Sequence, residues 1–183
     1  MPSSGQLTSS ELQALLADGT LAGSWTLDPA RSEVRLETKH TWGLRPLHGV
    51  FQQVTGGGTV APDGNVSGVI TVAATSVDTK NPTRDKHLRS ADFFDVANHP
   101  DFIFTVEGVP PTGDGVRVTG RLTVRDRTLP VSFDAKATVA DGEVTLDGDI
   151  PINRADYGLA WQKLWGIASM HSTIGVHAVF VRQ

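Results

Sequence analysis

Apolar and polar residues alternate in run after run of this chain, and that period of two constrains its fold more than any other feature. Val34, Leu36 and Thr38 share one parity, while Glu33, Arg35, Glu37 and Lys39 take the other. A strand places the two sets on opposite faces. Val116, Val118, Gly120, Leu122 and Val124 repeat the pattern against Arg117, Thr119, Arg121, Thr123 and Arg125. Val131, Phe133, Ala135, Ala137 and Val139 repeat it again, and so do Val144, Leu146, Gly148 and Ile150. The joints between runs carry turn chemistry: Pro62-Asp63-Gly64-Asn65, Gly113-Asp114-Gly115, Asp141-Gly142 and, more weakly, Asp126-Arg127. Closely spaced strands joined by tight turns form an antiparallel meander. About eight strands are expected, the number that closes into a barrel wide enough for a small ligand. Gly56, Gly57 and Gly58 interrupt one run, and a bend or bulge is expected there.

The 183 residues suffice for one domain with a sizeable core. A hydrophobic fraction of 39% with 20% charged residues excludes disorder. The net charge of −4 argues against nucleic acid as a partner. Without cysteine there are no disulfides, thiolate metal sites or cysteine nucleophiles. No apolar run is long enough to span a bilayer, so stable membrane insertion is not expected. The first residues lack the basic start, apolar stretch and small-residue cleavage site of a signal peptide. A cytoplasmic location is the expectation from that start.

Three segments depart from the β pattern. Residues 1–23 are read as a helical extension and 24–183 as the barrel domain. In the extension, Thr8 and Glu11 have capping-box spacing, and Leu12, Leu15 and Leu16 follow at helical intervals before Gly19. That spacing predicts a short amphipathic helix docked on the barrel. Residues 82–99 contain a short helix starting near Pro82 or Thr83, and residues 151–169 form a long loop with one helical turn. Long connections in a compact barrel are where function tends to sit.

Three stretches resemble the YceI family of lipid- or polyisoprenoid-binding proteins. The first holds Trp25, Asp28, Pro29, Ser32 and Val34 and runs on to His40. The second, and most specific, is Ser76-Val77-Asp78-Thr79 followed by Arg84-Asp85-Lys86-His87-Leu88-Arg89-Ser90-Ala91-Asp92-Phe93-Phe94-Asp95-Val96 and Pro100. The third joins Gly120, Thr123, Thr128, Pro130 and Val131 to Ile152-Asn153-Arg154-Ala155-Asp156-Tyr157-Gly158. Arg31 departs from the pattern, since many relatives have histidine there, and no role is assigned to it. The resemblance implies a lipocalin-like, all-β, eight-stranded antiparallel barrel enclosing a long apolar chain, in some relatives a polyisoprenoid. It also implies a homodimer, and for many relatives a periplasmic location that this chain's start does not support.

A polyisoprenoid offers little besides methylene-like surface, each buried CH₂ of which is worth about 0.8 kcal/mol. An apolar tunnel is sufficient for affinity, with a few polar groups at the mouth to orient a head group. Lining candidates are Leu36, Phe51, Ile70, Phe102, Phe104, Leu122, Phe133 and Ile174, with His40 inward by parity. Trp42, Phe93, Phe94, Trp161 and Trp165 stand in or near the irregular segments as candidates to close the mouth. Any one of these aromatics taken singly reads as plain core before ligand contact, because small barrels fill their interiors with side chains. Arg84 and His87, on one helical face, are candidates for an anionic or hydroxylated head group. Their competing uses are ion pairing with Asp92 or Asp95 and a bond to a loop carbonyl. Arg154 is a candidate to pair with a carboxylate of the 84–95 segment.

Six histidines occur, but none in H-x-H or H-E-x-x-H spacing, so neither metal nor cofactor is expected. The nucleophile elbow, P-loop and dinucleotide fingerprint are absent from the sequence. The reading is therefore non-catalytic binding of an isoprenoid or similar long-chain amphiphile, for transport or storage. Its competitors are an enzyme working in the same cavity through Arg84, Asp85 and His87, and a solid barrel whose outer face pairs with a partner. Val179 and Val181 make the last strand apolar on both faces, so the N-terminal helix or a second subunit is expected to cover it.

Overall fold

The alternating runs are strands in the computed structural model, which describes residues 7–40, 47–159 and 168–183. Among the described residues twelve strand segments form a single antiparallel sheet. They are β1 (Gly23–Leu27), β2 (Glu33–His40), β3 (Leu47–Phe51), β4 (Val54–Val60), β5 (Val66–Ala73), β6 (Val77–Asp78), β7 (Asp101–Gly108), β8 (Pro111–Thr112), β9 (Gly115–Val124), β10 (Arg127–Ala140), β11 (Glu143–Asn153) and β12 (Ala168–Arg182). Among the described residues two α-helices accompany them, α1 (Ser9–Ala17) and α2 (Pro82–Arg89).

The sheet closes. The order β1-β4-β5-β7-β9-β10-β11-β12 returns to its start because β12 also pairs with β1, at Trp25–Arg182 and Leu27–Phe180. The other long segments prolong these eight staves. β2 continues β1 along the same side of β12, from Glu33–His177 to His40–Ala168. β3 continues β4 and pairs with β2, and β6 continues β5 and pairs with β3. The break between β1 and β2 is bridged by backbone bonds to Val179, which donates to Ser32 Oγ at 3.0 Å and accepts from Asp28 N–H at 2.8 Å. Among the described residues, closure leaves only short ends of unpaired edge.

The turns follow their residue chemistry. Asp141 and Gly142 both take positive φ, at 52° and 76°, as a two-residue hairpin of this twist requires. The turn between β9 and β10 is Arg125–Asp126, one residue earlier than the sequence suggested, with Arg125 at φ 56°. The Gly56–Gly58 run holds no bulge. Its pairing with β5 is unbroken from Val54–Val72 to Val60–Val66. The glycines instead permit close approach, since a Cβ at Gly57 would stand 2.4 Å from the Trp25 carbonyl.

α1 starts at the predicted cap. Glu11 N–H donates to Thr8 Oγ1 at 3.3 Å, and Thr8 N–H donates to Glu11 Oε2 at 2.8 Å. It does not cover the outer face of β12. Its leucines turn into one end of the barrel, where Leu12 and Leu21 are buried with Trp25, Val116 and Ala137. The helix reaches the barrel end because Gly19, at φ 78°, reverses the chain and carries Leu21 under β1. Arg182 holds this connection, donating to the carbonyls of Thr20 and Ala22 while its guanidinium lies 4.8 Å from the Trp25 ring centroid.

Candidate functional site: the barrel interior

Inward-facing residues line two apolar chambers stacked along the barrel. The upper chamber, of about 150 Å³, lies toward α2 and the 90–99 segment. The lower, of about 130 Å³, lies toward α1. Ile70, Val106, Val118, Leu146 and Phe180 border both and form the waist. The barrel is therefore not the solid body that the partner-pairing reading required.

At the upper end an aromatic cluster closes the wall. Phe102 meets Phe51 edge-on at 5.4 Å between centroids and Phe94 at 5.0 Å. Phe93 lies 4.9 Å from Phe94. These distances fall in the favourable range for tilted and edge-to-face rings. At the middle, Phe104 and Phe133 stand 6.1 Å apart. Two glycines make room for them: a Cβ at Gly120 would come within 2.9 Å of the Phe104 ring, and one at Gly148 within 3.1 Å of Phe133. Small residues opposite large ones are how a narrow barrel is filled without clash.

Phe93 and Phe94 reach the chamber because α2 ends just before them. Asn81 caps its start by accepting from Arg84 N–H at 3.0 Å, and Pro82 begins the helix where a missing N–H costs nothing. Ser90 terminates it, donating through N–H and Oγ to the His87 carbonyl. The chain then folds back, with Phe94 N–H donating to Leu88 O at 2.9 Å. Arg89 ties the segment down through the carbonyls of Thr75 and Val77.

Polar side chains are sparse at the upper chamber: Ser32 and Arg154, since His177, also at its border, turns its ring outward to Asp147. Arg154 opens a 3₁₀ turn capped by the Asn153 side chain, which accepts from Ala155 N–H at 3.1 Å. Its guanidinium is buried and lies 5.8 Å from the Phe93 ring centroid, within cation–π range. It thus reaches the 84–95 segment through an aromatic face. Burial lowers the Arg154 pKa from its ordinary value. Burial, reinforced by the Asp156 charge, raises that of Tyr157.

The candidates from the sequence divide cleanly. Leu36, Phe51, Ile70 and Phe93 line the upper chamber, as do Phe94, Phe102 and Phe104. Leu122, Phe133, Arg154 and Ile174 line it too. Arg84 and His87 are not in its wall. Arg84 turns to Thr79, donating to Oγ1 at 2.7 Å and to the carbonyl at 2.8 Å. Asp85 is buried and accepts from the same threonine, from N–H at 3.0 Å and Oγ1 at 2.6 Å. The dense polar string thus fastens α2 to the end of β6. Its arginine and aspartate are engaged structurally because both side chains turn to Thr79 at the end of β6, while Leu88 on the same helix is buried in the core. The His40 backbone pairs with Ala168, but its side chain, like Trp42, Trp161 and Trp165, lies outside the described residues. Among the described residues no group of three or more His, Asp or Glu side chains is placed to hold a metal ion.

The sequence reading missed the lower chamber altogether. Leu12, Leu16, Trp25, Val60 and Val66 line it, together with Val144. Parity would have placed Trp25 and Val144 inside, but no local signal announces that space remains around them.

A family model for the YceI-like domain matches residues 25–180. The chain belongs to the YceI-like family. Protein YceI of Escherichia coli O17:K52:H18 is 48% identical over 67 residues, 37% of this chain and 35% of that protein. A UPF0312 protein of Pectobacterium atrosepticum is likewise 48% identical over 67 residues. The aligned stretch thus spans about a third of these curated relatives. The YceI-like barrel superposes on BcnA of Burkholderia cenocepacia with a TM-score of 0.76 at 23% identity, covering 84% of this chain and 98% of that one. It superposes on a polyisoprenoid binding domain of Saccharophagus degradans, implicated in plant cell wall breakdown, with a TM-score of 0.71 at 15% identity, covering 87% and 98%. At these identities the likeness establishes the fold.

Proposed function

We propose that this barrel binds an isoprenoid or similar long-chain amphiphile in its interior, without transforming it, as a carrier or store. The observation that carries the reading is the upper chamber, whose side-chain lining is apolar apart from Ser32 and Arg154. Such a wall gives affinity by burial alone, about 0.8 kcal/mol for each CH₂ removed from water. The polyisoprenoid binding named for the Saccharophagus degradans domain of the same fold supports the ligand class. The enzyme reading loses its main support, because Arg84 and Asp85 are engaged with Thr79 rather than with the chamber. The test is mass spectrometry of an organic extract of the purified protein. A co-purifying isoprenoid or long-chain lipid is expected. A lipid-free extract, together with no uptake of added prenol, would overturn the reading.

A further inference from the structure

The floor of the lower chamber comes from outside the matched domain. It is lined by Leu12 and Leu16 of α1 and by Leu21, all before the residues that the family model matches. The floor is fastened at several points. Leu7 N–H donates to Ala137 O at 3.3 Å, and Trp25 Nε1 donates to Leu21 O at 2.9 Å. Leu16 abuts the β4–β5 turn, where a Cβ at Gly64 would stand 3.3 Å away.

Volume decides what this floor does. An apolar cavity of ~150 Å³ takes an occupant the size of benzene. The upper chamber at about 150 Å³ and the lower at about 130 Å³ are each of that scale. An amphiphilic chain of more than a few carbons therefore fills one chamber and must cross the waist into the other. The shared lining of Ile70, Val106, Val118, Leu146 and Phe180 is apolar, so nothing chemical opposes the crossing.

Resting on the lipid-binding reading above, we infer that the lower chamber is the far end of the ligand tunnel and that α1 is its stop, with Leu16 setting the longest chain accepted. A tail that reaches the floor meets a leucine side chain rather than water. Each methylene that the floor excludes costs about fourfold in affinity, the equivalent of about 0.8 kcal/mol.

The experiment measures binding of geraniol, farnesol, geranylgeraniol and solanesol, which share one head group and differ in isoprene number, to the full chain by native mass spectrometry. Leu16→Trp fills the floor and is expected to move the affinity maximum to a shorter prenol, weakening the longest one bound by at least about tenfold. Leu16→Ala is expected to move the maximum to a longer prenol. Circular dichroism checks that both variants fold, and Leu16→Ala decides the matter alone if Leu16→Trp does not. Prenols that bind with a maximum indifferent to position 16 overturn the inference and leave the lipid-binding reading standing. No prenol binding to the unaltered chain overturns both.

Discussion

The indole of Trp25 donates a buried hydrogen bond to the carbonyl of Leu21, at 2.9 Å. This bond joins the first barrel strand to the segment that carries α1 inward, and Arg182 stacks over the same ring. Trp25→Phe keeps an aromatic ring but leaves the Leu21 carbonyl without this donor. A loss of about 1–3 kcal/mol is expected in urea unfolding, the cost of a buried unsatisfied group.

Phe94 is 3% exposed and touches Phe51, Phe93 and Phe102. Phe94→Ala removes the centre of that cluster and is expected to cost about 3–5 kcal/mol, as truncation of a buried phenylalanine does. Chemical denaturation measures it. A loss below about 1 kcal/mol would mean that the cluster is not tightly packed.

Asp85 accepts two bonds from Thr79 in a buried site. Asp85→Ala is expected to destabilise by about 1–3 kcal/mol, since it strands the Thr79 N–H. Asp85→Asn, which retains an acceptor oxygen, is expected to lose less. Neither is expected to change which lipid co-purifies. An altered lipid at unchanged stability would return Asp85 to the ligand site.

Arg31 brackets Asp28 at 2.7 Å and, with both terminal nitrogens, Glu143 at 2.7 and 2.9 Å. Its guanidinium holds both carboxyls below their usual range. Because the folded pKa values are depressed, the bracket's contribution is present above the unfolded value of about 4 and is lost as pH falls through the folded values. Thermal scans from pH 6 down to pH 2 should show a shallower decline for Glu143→Gln. Arg31→His should move the dependence toward neutrality. Histidine paired with these carboxylates has a raised folded pKa, so its contribution is full below about 6.5 and lost as pH rises through the raised value. A flat profile between pH 5 and 9 in Arg31→His would refute this.

Much of the barrel was legible because strand pattern is local. The parity of Val34 and Leu36, or of Val116 through Val124, marks a face without reference to any partner. The Asp141-Gly142 turn follows from which residues accept positive φ. Part of the aromatic lining was legible for the same reason: Phe133 faces inward as its parity required, and the candidates Phe51, Phe102 and Phe104 line the same chamber. The Gly56–Gly58 run misled, since glycine marks a close approach as readily as a bulge. Arg84 and Asp85 misled because charge density in a sequence does not say which neighbour will consume it.

From the sequence alone came the period of two, the closing number of strands, the capped N-terminal helix and the family resemblance. All of these are properties of residues near one another in the chain, or of a pattern that residues spell directly. Tertiary structure decided that the interior is two chambers rather than a filled core, and that α1 lines the lower one instead of covering β12. The physical reason is that an empty volume is what remains after side chains from eight staves and a helix have packed. Phe104 needs Gly120 on the neighbouring stave to fit, and Leu16 needs the turn at Gly64. Such complementarity exists only once strands far apart in sequence have closed into one ring.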